Sequence, residues 1–152
     1  MGEVFEAATG DGAPVPGDPA GRAAEVRTAF AGLMQIRRLT GAVPAEWERN
    51  RMVQAVALTL EAAGVPPSAV DGEGLPVATG YRVRAGDRAG AVRVDWPGPA
   101  GSGAARESDA RLAECAGALA AAGGWEALLY RGPKGRRYLE VEALPQVGGG
   151  AS

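Results

Sequence analysis

YRVRAGDRAGAVRVDW, residues 81–96, alternates apolar with charged or polar residues on both sides of a central AGDRAG. A period of two marks a strand, because successive side chains leave a pleated backbone on opposite faces. Tyr81, Val83 and Ala85 share one face with Trp96, Val94 and Val92, and matching those faces sets Arg82 opposite Asp95. The stretch therefore reads as a hairpin with one apolar and one charged face.

Downstream, Pro97 to Gly103 forms a loop, and a helix is expected near 105–122 with Ser108, Leu112, Cys115, Leu119 and Ala122 along one stripe. Gly123-Gly124 closes it. WEALLYRGPKGRRYLEVEAL, residues 125–144, then repeats the strand–turn–strand pattern. Placing Trp125, Ala127 and Leu129 on the face of Leu139, Val141 and Ala143 makes 129 meet 139 and leaves a five-residue loop. The other face carries Glu126, Leu128 and Tyr130 against Glu142, Glu140 and Tyr138.

Upstream the period changes to helical. Asp18-Pro19 is a helix opening, and Val26, Ala29, Phe30, Leu33 and Ile36 recur at helical spacing, which predicts a helix over about 19–39. A second helix is expected from Pro44 to Gly64, with Met52, Val53, Val56, Leu60 and Ala63 as its stripe. Trp47 and Leu58 fall on its opposite side, beside Gln54 and Arg51. Either Trp47 packs inside the molecule, or Trp47, Leu58 and Arg51 form a partner or dimer surface. Residues 65–80 are rich in Pro and Gly and read as a linker, while 1–17 and 146–152 lack periodicity and read as disordered tails.

The expected fold is α+β. A helical hairpin, 18–64, precedes a ββαββ unit, 81–145, whose four-stranded, mainly antiparallel sheet carries a helix on one face. The two parts form one compact domain.

The composition limits the chemistry. The chain has no histidine and a single cysteine, Cys115, which removes His-dependent triads, His-ligated zinc, internal disulfides and Cys-rich metal sites. On its stripe, Cys115 reads as a small buried apolar residue. Carboxylates could still serve an enzyme, and Asp71, Glu73, Asp87 and Asp95 are the candidates for a Mg²⁺ or acid–base site. However, DGEG at 71–74 is first a turn, and Glu46 and Glu48 suit the first turn of a helix. Neither GPAGSGAARES nor AGDRAG has the spacing of a phosphate-binding loop. No cofactor and no catalytic activity are expected.

Net charge is −2, divided into −4 over residues 1–80 and +2 over 81–144. Fifteen Arg against one Lys reads as the coding bias of a GC-rich bacterial genome. No apolar run reaches the roughly 20 residues of a membrane span and the N-terminus is acidic, so the expectation is a cytoplasmic protein without membrane contact. The densest charge is Arg131, Lys134, Arg136 and Arg137, followed by Tyr138 and facing Tyr130. It reads as a solvated turn or as a site for phosphate or an acidic partner. The helices over 19–64 read as an ordinary helical hairpin, since Glu46 and Glu48 would repel DNA phosphates. The leading expectation is a small non-catalytic adaptor acting through protein contacts or self-association. The alternative is a nucleic-acid-binding accessory protein using 131–138.

Overall fold

A computed structural model describes residues 5–145 of the chain. In order, the elements are α1 (Pro19–Thr40), α2 (Glu46–Asn50), α3 (Met52–Ala62), β1 (Ala69–Val70), β2 (Pro76–Ala78), β3 (Arg82–Ala85), β4 (Ala91–Asp95), α4 (Ala104–Ala122), β5 (Trp125–Arg131) and β6 (Arg137–Ala143). β3, β4, β6 and β5 form a four-stranded sheet in that spatial order, antiparallel throughout. The expected registers hold in both hairpins: Arg82 faces Asp95, Val83 faces Val94, and Leu129 faces Leu139.

One sheet face is apolar. Val83, Val92, Val94, Leu139 and Val141 meet Leu112, Cys115 and Leu119 of α4 and Val56 and Leu60 of α3 in a single core. α3 lies toward β3 and β4, and α4 toward β5 and β6. α1 packs on α3, which is why six consecutive α3 residues, Ala55 to Leu60, are buried. The N-terminal helices thus thicken the same layer and leave the charged sheet face open. Among the described residues no helix is long and apolar enough to cross a membrane.

The expected second helix is broken in two at Arg51, whose φ of −128° and ψ of 57° lie outside the helical range. α2 answers to a different contact. Arg37 and Glu48, both buried, join through Nε to Oε2 at 2.8 Å and Nη2 to Oε1 at 2.7 Å. The guanidinium also donates to the Ala122 carbonyl at 2.7 Å, and Glu48 Oε2 accepts the Ala45 N–H at 2.8 Å. Glu48 is therefore not a dipole-stabilising surface acid, as its place in the first turn implied, but a core ion-pair partner tying α1, α2 and the end of α4. A second pair, Arg22 to Glu61 at 2.8 Å, joins α1 to α3.

The N-terminal stretch departs most from expectation. Residues 5–12, read as part of a disordered tail, pass from α3 across the outer edge of β3 to β1. Thr9 O accepts the Val83 N–H, Gly12 O accepts the Val70 N–H, and Gly10 O accepts the Ser68 hydroxyl. Ala7 exchanges hydrogen bonds with the Gln54 amide, and the buried Tyr81 donates its phenol to Ala8 O at 2.7 Å. Gly10 has φ +89°, and a Cβ there would stand 2.2 Å from Tyr81 O, so the segment passes this point only as glycine. The 65–80 stretch likewise holds the short antiparallel β1–β2 pair. Residues 146–152, also read as a tail, lie outside the described residues.

Replacing Glu48 with Ala strands a buried guanidinium, so stability in urea should fall by about 3–5 kcal/mol. The joint change Arg37→Met with Glu48→Leu should restore most of it, since a well-packed apolar pair is often no worse than a buried ion pair. A loss below about 1 kcal/mol for Glu48→Ala would show that the pair carries no weight, because typical substitutions cost that much.

Candidate functional site

The expected partner surface divides on folding. Leu58 is 5% exposed and belongs to the core between α1 and the sheet, so it presents nothing to a partner. A helix wedged on several sides needs apolar residues on several sides, and that requirement accounts for Leu58. Trp47 remains 37% exposed and Arg51 is exposed, on and just after α2. Arg49 between them donates to Leu144 O at 2.6 Å, fastening α2 to the end of β6.

The charged sheet face is largely self-neutralised. Arg82 grips Asp95 through two bonds, 3.0 and 2.6 Å, and Arg93 meets Asp87 at 3.1 Å. Arg88 bonds both Glu140 and Glu142. Carboxylate pairing holds the Arg82 and Arg88 guanidinium pKa values above their usual range. Tyr130 and Tyr138 do stack across the strands, with centroids 5.8 Å apart, but the Arg93 guanidinium already lies 4.0 Å from the Tyr138 ring centroid. The tyrosine pair is thus occupied on one side by the protein's own cation.

The cations of the 131–138 hairpin part company as well. Lys134, Arg136 and Arg137 line a cleft of about 430 Å³, facing Arg82, Asp95 and the first turns of α4. Arg131 and the two tyrosines do not line it. Asp95 is the one member of the acidic candidate set in this cleft, while Asp71 spends its Oδ1 on the Glu73 and Leu75 N–H groups of a tight turn. Those backbone bonds hold the Asp71 carboxyl below the usual carboxylate pKa. Among the described residues no three His, Cys, Asp or Glu side chains come together as a metal site.

The outer edge of β5 is a feature that residue order alone does not mark. Gly132 N–H donates to Arg136 O and Leu144 N–H donates to Gly124 O, which fixes the even-numbered residues of β5 as those bonded to β6. The backbone N–H and C=O groups of Trp125, Ala127, Leu129 and Arg131 consequently point away from the sheet, where no strand among the described residues pairs with them. Beside them Leu128, Leu129 and Tyr130 are 48%, 46% and 40% exposed. ALLYR was legible as a strand, but its position at the edge depends on β6 inserting between β4 and β5.

No family model, no curated protein and no solved structure matches this chain.

Burial pushes the Cys115 thiol up to about 12, because the thiolate would sit in an apolar core. The native protein should resist maleimide until denatured. The sign of its pH effect follows. Below about pH 8 both folded and unfolded thiols are neutral, and above it only the unfolded thiol ionises, so stability falls as pH rises toward 12 by up to about 1.4 kcal/mol per unit. Urea unfolding at alkaline pH should show Cys115→Ala losing less stability than the native chain, and an equal loss would refute the assignment.

Proposed function

We propose that this protein is a small non-catalytic adaptor that takes up an extended segment of a partner protein along β5. The observation that supports this reading is the contrast between the two sheet edges. The outer edge of β3 is engaged by Thr9, whose carbonyl accepts the Val83 N–H, and Tyr81 just before it pairs with Pro66 and Ser68, whereas β5 offers a seven-residue strand whose outward backbone groups meet no strand among the described residues, beside an exposed Leu128-Leu129-Tyr130 run. An edge of that kind, without proline or lysine to block it, is a template for strand addition. Backbone bonds would supply affinity, and the exposed side chains would select alternate apolar residues of the incoming segment. A second copy of the chain is the special case of self-association.

The nucleic-acid reading has weaker support, since Arg82, Arg88 and Arg93 are paired and Tyr138 is engaged by Arg93. Trp47 and Arg51 remain candidates for a subsidiary contact.

The test is affinity capture from native lysate with nuclease present, comparing the native chain with the double change Leu128→Lys and Leu129→Lys. Both positions are half-exposed, so folding should be little affected, while lysines on the edge oppose strand pairing. Partners should be lost, or weakened at least about tenfold, the equivalent of 1.4 kcal/mol. Undiminished capture would overturn the reading, and sedimentation velocity on the same pair identifies self-association.

A further inference from the structure

We infer that the cleft between the hairpin tip and the start of α4 binds a small phosphate-bearing molecule, a use separate from partner docking on β5. Four cations, Arg82, Lys134, Arg136 and Arg137, line it against one acid, Asp95. Two of the four are held in place: Arg82 by Asp95, and Arg137 by Asp109 at 3.2 Å. Lys134 and Arg136 are exposed and have no salt-bridge partner among the described residues. Once the two acids are counted, two positive charges remain uncompensated at the cleft mouth. A phosphate monoester carries about −1.5 to −2 at neutral pH, which matches that surplus.

The arrangement is built rather than accidental in one respect. Lys134 is the sole lysine of the chain, and among the described residues it is the sole non-glycine with positive φ, at 61°. Glycine would adopt this conformation without a steric cost, so a lysine here sets a charge into the cleft wall at the expense of local strain. The opposite wall is the start of α4, where the Ala104 N–H is taken by the Ser102 hydroxyl and the helix dipole adds a modest positive field.

The dimensions favour a small ligand over a polymer. A volume near 430 Å³ lies within the usual range for small-molecule sites, about 300–1,000 Å³. A nucleic-acid strand leaving the cleft along the sheet would meet cations already spent on Asp95, Glu140 and Glu142. The hairpin cations thus act inward, across the cleft, and not outward with the tyrosine pair.

Pyrophosphate is the probe, titrated into ¹⁵N-labelled full-length protein at low and at moderate salt. Amide resonances of residues 104–108 and 134–137 should move together and give one saturating curve. The double change Lys134→Asn with Arg136→Gln should weaken binding at least about tenfold; asparagine tolerates positive φ, so the turn is kept. Arg131→Gln, a neighbouring cation outside the cleft, should leave binding unchanged. No shifts up to about 10 mM, an affinity equivalent to less than 3 kcal/mol, would overturn the inference. So would equal losses in Arg131→Gln and the double variant, which would mark unspecific charge attraction. Binding of a single-stranded oligonucleotide without binding of pyrophosphate would overturn it too.

Discussion

Arg37 and Glu48 place opposite charges in a part of the molecule from which water is excluded, and the surrounding elements are arranged to make that tolerable. Two parallel bonds join the charged groups, Ala122 O takes a further guanidinium proton, and the Ala45 N–H completes the carboxylate. Each satisfied group belongs to a different piece of chain: α1, the α1–α2 connection, α2 and the end of α4. Burying either charge alone would cost several kcal/mol, so the four pieces are compatible only when all are in place. The pair therefore acts as a register pin for the helical layer. The break at Arg51 lets α2 make the Arg37 contact and α3 the core contacts on separate axes.

The helical layer in turn determines what the sheet can present. Because α3 and α4 share one face with α1 stacked behind, no described helix covers the other, and a bare sheet face in water must be polar. Its rows of Arg, Asp and Glu meet that requirement by pairing among themselves. Much of that charge is paired within the face: Arg82 with Asp95, Arg88 with Glu140 and Glu142, and Arg93 with Asp87. The uncompensated charges lie at the hairpin tip, where the ladder ends.

Much of this was legible from residue order. Period-two alternation at 81–96 and 125–143 gave both hairpin registers, since a one-residue slip would turn every apolar side chain to the wrong face. Asp18 accepts the Gly21 N–H as its N-cap position implied, and Cys115 is buried. What sequence reading missed depended on long-range contacts. Arg22 and Arg37 continue the α1 stripe of Val26, Phe30 and Leu33 at both ends, a signal that these arginines point inward, but their partners Glu61 and Glu48 lie 39 and 11 residues away. Residues 5–12 have no period of their own because they are shaped by β3 and α3, and Gly10 and Ala7 read as tail until those neighbours are known. Of the candidate site, the hairpin cations were visible, but their division between cleft and surface required knowing where α4 begins.

The strip of chain from Thr9 to Gly12 has a consequence for stoichiometry. A sheet with two open edges is bivalent: each added strand or copy leaves another edge behind, and growth can continue into a filament. On the β3 side the molecule's own N-terminal segment already supplies a partner, Thr9 O accepting the Val83 N–H, so the two edges are not equivalent. A strand added at β5 would therefore leave on the far side an edge already engaged by Thr9, which disfavours continued growth in that direction.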